Sequence, residues 1–421
     1  MRLYWTAWSM LFLGGPLAMA QNNADLLERM KAMEDRIQAL ESELAQLKGA
    51  PAPVQAGQAP AATPAPAPVA PQSAGVLGGA GAGASKILNP DVSVIGDFLG
   101  TVGNSGPVQT PSLEMHESEV GLQAILDPYA RADFFISFGE QGVNLEEGYL
   151  TFPSLPGKFE LKVGKMRAAF GSVNALHNHV LPWADRPLVT NNLVGGEDGI
   201  NDAGFSLSRV FAGPGGLFLE GTAQLFRGDS STVFKAYKHD DVSTVEHLKA
   251  YRDLSESTNL NLGFSYSRGH SPVAETLINQ LYGFDATIRW KPLRRSIYHS
   301  FVGRTELIWD HNDVSRPAAF GYYASGDYQF ARRWFFGGRF DRSERFFSYN
   351  PLDQTVVLNP PIATQPLFQD TGGSLILTYW PSEFSQIRAQ LRRTAYEQSI
   401  TANELLFQFM FSIGAHGAHP F

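Results

Sequence analysis

From Val92 onward, apolar and polar positions alternate with period two. Leu405, Phe407, Phe409, Phe411 and Ile413 share one face of a stretch whose other face carries Leu406, Gln408, Met410 and Ser412. Tyr282, Phe284, Ala286, Ile288 and Trp290 oppose Gly283, Asp285, Thr287 and Arg289 in the same manner. Leu260, Leu262, Phe264 and Tyr266 oppose Asn261, Gly263, Ser265 and Ser267. Residues two apart on a strand point to one side, so each stretch reads as a strand with an apolar, aromatic-rich face and a small or polar face. A soluble sandwich shows similar alternation, and a single strand decides nothing.

The lengths and connections decide more. Strands are expected over 92–102, 113–126, 130–138, 143–152, 158–166, 202–210, 216–227 and 244–254. Eight more follow over 258–267, 279–291, 296–310, 318–330, 333–345, 370–381, 384–397 and 403–413. Even-numbered strands are followed by short turns such as "DPY", "PSLPG", "SEST" and "PS". Odd-numbered strands are mostly followed by longer connections, among them 167–201, 228–243 and 346–369. An even strand count with short turns at one end and long loops at the other predicts an all-β fold, a transmembrane antiparallel β-barrel of about 16 strands over residues 87–421. Closure of the last strand onto the first would remove the edge that the aromatic C-terminal stretch would otherwise expose.

The N-terminal part is different in kind. Residues 1–20 combine Arg2, an apolar centre and Ala18-Met19-Ala20, the layout of a cleaved signal peptide. Residues 21–48 carry Leu26, Met30, Met33, Ile37, Leu40, Leu44 and Leu47 at alternating spacings of four and three, the repeat of a coiled-coil oligomerisation stalk. Arg29, Arg36 and Glu43 at g would face Glu34, Glu41 and Lys48 at e, which favours parallel helices. Residues 49–86 are a Pro/Ala/Gly-rich linker that cannot bury a core. Signal peptide, stalk and barrel ends all call for the same, periplasmic, side of an outer membrane.

Composition narrows the chemistry. The absence of cysteine excludes disulfides and thiolate metal sites, and a net charge of −8 without a long basic run argues against a nucleic-acid partner. The polar strand faces would line a lumen. Asp285 with Arg289, Arg304 with Glu306, Arg339 with Asp341, and Arg388 with Arg392 share faces and are the candidate pore-lining residues. A barrel of this size leaves an aqueous channel unless its interior is filled. These charges would either set ion preference or pair across strands and stiffen the wall.

The connection after the fifth strand is the third outer loop and is too long for a simple turn. Folded inward, it would place Arg167, His177, His179, Asp185 and Arg186 at a constriction, with Lys162 and Lys165 on the preceding strand. Packing on the rim or on a neighbouring subunit is the alternative. His177 and His179 with Asp185, or His416 with His419, lack a third ligand at defined spacing, so solvated loop histidines and no metal are expected. Neither a nucleophile elbow nor a phosphate-cradling loop is present, and neither enzyme activity nor a cofactor is expected.

The order of signal peptide, coiled coil, Pro/Ala spacer and sixteen strands resembles the phosphate-selective porin (porin O and P) superfamily. The stretches that carry the likeness are "LNPDVSVIGDFLG", "KFELKVGKMRAAFGSVN" and "FMFSIGAHGAHPF". The resemblance implies a trimeric outer-membrane channel with a basic anion path, to which Lys162, Lys165 and Arg167 correspond. It also implies handling by the barrel-assembly machinery, through an aromatic terminal signal in "FQFMF" or Phe421. The resulting expectation is a porin for passive diffusion of small hydrophilic solutes, anions among them. Its partners would be membrane lipid, two further copies of the chain and, through the stalk, peptidoglycan. A structural tether to the cell wall and a gated, substrate-specific receptor are the alternatives.

Overall fold

The computed structural model describes residues 90–414 apart from 105, 108–110, 140–141, 231, 313–317, 347, 350–355, 358–366 and 398–399. The expected signal peptide, stalk and linker, together with His416, His419 and Phe421, lie outside the described residues.

The first strands are β1 (Asp91–Asn104), β2 (Leu113–Asp127), β3 (Ala130–Gly139), β4 (Gly142–Leu155) and β5 (Phe159–Arg167). A short helix, α1 (Leu188–Leu193), precedes β6 (Asn201–Ala212), β7 (Phe218–Phe226), β8 (Ser243–Ser255) and β9 (Thr258–His270). Then come β10 (Ile278–Trp290), β11 (Ser300–Asn312), β12 (Ala319–Ala331) and β13 (Trp334–Arg345). A two-stranded ribbon of β14 (Ser348–Tyr349) and β15 (Val356–Val357) leads to β16 (Phe368–Ser382), β17 (Ser385–Tyr396) and β18 (Ile400–Gly414).

Apart from the β14–β15 ribbon, which stands outside the ring between the paired β13 and β16, each strand pairs with its neighbours in chain order, and β18 pairs antiparallel with β1, from Ser93 opposite Gly414 to Asn104 opposite Asn403. The molecule is a closed transmembrane barrel of sixteen strands, as the alternation predicts. Boundaries differ by up to four residues, most at the start of β11. Strand β11 starts at Ser300 rather than 296, because Arg295 adopts φ 66° and its carbonyl accepts from the amides of Tyr298 and His299. That local turn takes these residues out of the ladder.

The outward face is apolar around the ring. Phe264, Phe284, Phe336, Leu375, Leu391, Leu405 and Phe407 are exposed, as the lipid-solvated face of a barrel requires. Aromatic residues gather at its two margins. Tyr266 packs on Tyr282 and Trp309 on Phe320 near the long-loop end, while Trp334 stacks on Tyr379 near the short-turn end. Amphipathic rings at both interfaces are the expected girdles.

The opposite face is polar, and in the long-loop half much of it is buried rather than left to water. An apolar cluster lies inside the ring. It joins Phe170, Val173, Trp183, Val189 and Ile200 of the β5–β6 loop to Val233 and Phe234 of the β7–β8 loop. These pack on inward wall residues including Leu281, Ile308, Tyr323 and Ile376. The long-loop half of the lumen therefore has a core of its own.

Candidate functional site: the third loop inside the lumen

The β5–β6 loop, residues 168–200, touches three arcs of the inner wall in turn. Phe170 reaches the β9–β11 arc, where its ring lies beside Gly283 and the Gly171 amide donates to Ser265 Oγ at 2.9 Å. Gly171 has φ 62°, and a Cβ there would stand 1.5 Å from Glu306 Oε1. Only glycine fits this crossing.

The chain next returns to β2 and β4. His177 lies between three carboxylates, with Nδ1 2.7 Å from Glu119 Oε2 and 3.1 Å from Glu146 Oε2, and Nε2 2.8 Å from Glu147 Oε2. Burial opposes charge on this imidazole, but the carboxylates outweigh it and raise its pKa well above the usual range. Arg167 joins the same group. Its amide donates to Glu147 Oε1 at 2.7 Å, and its guanidinium donates to Glu146 Oε2 at 3.1 Å and the Glu197 carbonyl at 2.7 Å. His179 is also buried, with Nδ1 4.0 Å from Glu117 and 3.9 Å from Glu119.

The third contact is on the far wall. Asp185 Oδ2 accepts from Arg339 at 2.9 Å and from Arg392 at 2.8 Å, and its Oδ1 accepts from Gln390 at 2.5 Å. Burial works against this carboxylate too, but Arg339 and Arg392 hold its pKa well below the usual range. Trp183 lies 5.0 Å from the Arg339 guanidinium and meets the Tyr323 ring edge-on. Helix α1 starts behind Pro187, and the Leu188 amide, an orphan donor at a helix start, is taken by Asp341 Oδ1 at 3.2 Å. Asn192 then reaches Asp370 on β16 at 3.1 Å.

The expected constriction residues thus separate into distinct places. Arg167, His177 and His179 meet at the β2–β4 wall. Asp185 is across the lumen, bound to the expected lining residues Arg339 and Arg392. Arg186 folds back on its own loop, donating to the carbonyls of Val173 and Leu176 and to Asn178. Burial lowers its pKa to about 10, helped by nearby Arg167. Lys162 faces inward, 4.0 Å from Glu160 and over the Tyr149 ring.

Lys165 does not join them. A spacing of three puts it on the face opposite Lys162, and its register partners Gly148 and Ala203 point outward with it. Its ammonium donates to the Leu145 carbonyl at 2.5 Å. Arg167 has the same parity but ends its strand, where the chain bends inward. The two loop histidines are buried rather than solvated as expected, because the loop docks on the wall, and Asp185 lies across the lumen from them.

The remaining lining candidates all face the interior. Arg304 pairs with Asp327, Arg339 with Asp341 and Arg392 with Glu404. Arg388 donates to Gln408 Oε1 at 2.6 Å. Asp285 and Glu306 are buried beneath the loop, and Arg289 is exposed toward the short-turn end. The residues that the sequence did not single out are Glu117, Glu119, Glu146 and Glu147. The last two are both inward because a bulge between Phe135 and Ile136 interrupts the alternation of β4.

No family model matches the chain. An uncharacterized protein of Aquifex aeolicus (strain VF5) is 28% identical over 398 residues, covering 80% of this chain and 81% of that one. Among solved structures, OprB of Pseudomonas putida superposes with a TM-score of 0.52 at 10% identity, covering 78% of this chain and 95% of that one. OmpT of Vibrio cholerae, an outer membrane protein, superposes with a TM-score of 0.50 at 10% identity, covering 78% and 100%. What these structures share with this chain is its barrel fold.

Proposed function

We propose that the protein is an outer-membrane channel of the porin type in which the third loop sets the narrowest cross-section for small hydrophilic solutes. The observation that carries this reading is the loop itself, which crosses a wide, polar-lined barrel and is fixed to three arcs of its wall. A sixteen-strand ring leaves an aqueous lumen, and a loop held inside it defines the passage. A preference for anions belongs to the same reading. Arg289 and, beside Glu160, Lys162 face the lumen below the loop, whereas Asp133 and Asp327 are engaged by Arg131 and Arg304. Assembly as a trimer, with the stalk in the periplasm and reaching peptidoglycan, completes the proposal.

One observation favours a second reading, a closed barrel that serves as a tether. Many charges of the inner wall are paired and buried, including Arg339, Asp341, Arg345 and Asp370. Planar-bilayer recording of the purified protein decides between the two. Stepwise conductance in triplets, with a reversal potential of anionic sign under a KCl gradient, is the porin result. Folded protein that never conducts leaves the tether.

A further inference from the structure

We infer that Glu117, Glu119, His177 and His179 form a binding site for one divalent transition-metal ion of the zinc class, which staples the third loop to β2. The four side chains are buried, and one donor atom from each lies within 4.8 Å of the others. The inference does not depend on whether the barrel conducts.

Two observations set this cluster apart from an ordinary ion-pair network. First, both carboxylate oxygens of Glu117 and Nδ1 of His179 have no hydrogen-bond partner, although the residues are only 6% and 7% exposed. An unpartnered buried carboxylate is costly, and the His179 imidazole nitrogen is 4.0 Å from it, beyond hydrogen-bond reach. Second, Glu117, Glu119, Glu146 and Glu147 all face the loop, and among the described residues the cations set against these four carboxylates are Arg167, His177 and, without a hydrogen bond to them, Arg186. Negative charge is in surplus where the loop docks.

The donor set selects the ion. Two carboxylates and two imidazoles suit zinc and its first-row neighbours, whereas calcium and magnesium take shells of oxygen. Bonds of about 2.0–2.1 Å in a tetrahedron place donors about 3.4 Å apart, so side-chain rotation closes the site without moving the strands. The outer arrangement is already in place. His177 Nε2 contacts Glu147 at 2.8 Å, the carboxylate–imidazole pairing that orients a metal-bound histidine through its other nitrogen. Metal at Nδ1 would displace the proton now shared with Glu119. A small pocket lined by Ile95, His179, Gln386, Met410 and Ser412 adjoins the site.

The test uses the full-length protein in detergent, stripped with a chelator and titrated with zinc chloride. One zinc per chain should bind saturably and raise the unfolding temperature, with X-ray absorption showing only nitrogen and oxygen neighbours at about 2.0–2.1 Å. Glu117→Gln removes a group with no hydrogen bonds to lose, so it should fold and unfold at or above the temperature of the metal-free parent. Both it and His179→Gln should bind zinc about tenfold more weakly or worse, and their stability should no longer respond to zinc. Folded protein that takes up no zinc saturably, or variants that bind it as the parent does, would overturn the assignment; the latter result would place the ion elsewhere, such as on His416 and His419.

Discussion

Arg392 of β17 donates to Asp185 of the third loop at 2.8 Å, across 207 residues of sequence. The same carboxylate oxygen accepts from Arg339 on β13, so one loop residue joins two strands that are not adjacent in the sheet. Each arginine keeps a second acid on the wall, Glu404 for Arg392 and Asp341 for Arg339. Asp185 is the fastener, and the wall charges do not depend on it.

Removing the fastener should free the loop without emptying the wall. Asp185→Asn is expected to lower stability by about 1–3 kcal/mol, less than for a buried charge left fully unpaired, because both arginines retain a partner. Single-channel recording should show a larger or noisier conductance than the parent. A variant as quiet as the parent would mean that the far-wall contact does not hold the passage closed.

Acid should reproduce that change. The native pKa of Asp185 is depressed by Arg339 and Arg392, so its contribution is complete above the unfolded value of about 3.9 and is lost as pH falls toward the lower native one. The groups facing it are Arg339, Arg392 and Gln390, with Asp341 and Glu404 behind the arginines. From about pH 4 downward the parent's conductance should rise, and Asp185→Asn should lack that part of the response.

Two lysines three residues apart should behave differently. Lys162→Gln removes an inward charge and should shift the reversal potential toward cation preference. Lys165→Gln lies on the outward face and should leave it unchanged. Equal shifts for both would contradict the strand parity described above.

Glycine substitutions give a matched pair. Gly171 and Gly215 both have positive φ, but a Cβ at 171 meets Glu306 whereas at 215 nothing lies within 4 Å. Gly215→Ala should cost about 1–2 kcal/mol from backbone strain alone. Gly171→Ala should cost about 3 kcal/mol or more, because the buried Glu306 carboxylate or the loop itself must also shift. Thermal unfolding of the two variants measures the difference.

Much of the fold is legible from alternation, because lipid outside and a polar interior impose opposite demands on successive residues. The face of Leu405 and Phe407 against that of Leu406 and Gln408 could be assigned from the sequence, and so could the inward course of Arg339, Asp341, Arg388 and Arg392. The site was only half legible. His177 and His179 are conspicuous in their loop, but Glu117 and Glu119 lie 58 or more residues away, and nothing local marks them as partners. Glu146 and Glu147 sit side by side, which under strict alternation sends one of them outward; only the bulge turns both in. Lys165 was misplaced for the converse reason, since a basic cluster in sequence does not stay a cluster once alternate residues diverge.

The span between Asp185 and its arginines also bears on how the molecule is made. The receptor for this side chain consists of β13 and β17, which lie far downstream of the loop in the chain and are two strands apart in the finished ring. No partial barrel ending before β17 can complete it. Seating of the loop is therefore a late event that reports near-completion of the wall, and Trp183, two residues from Asp185 and held between Arg339 and Tyr323, is placed to signal it by fluorescence. The loop is made early in sequence and locked late in time.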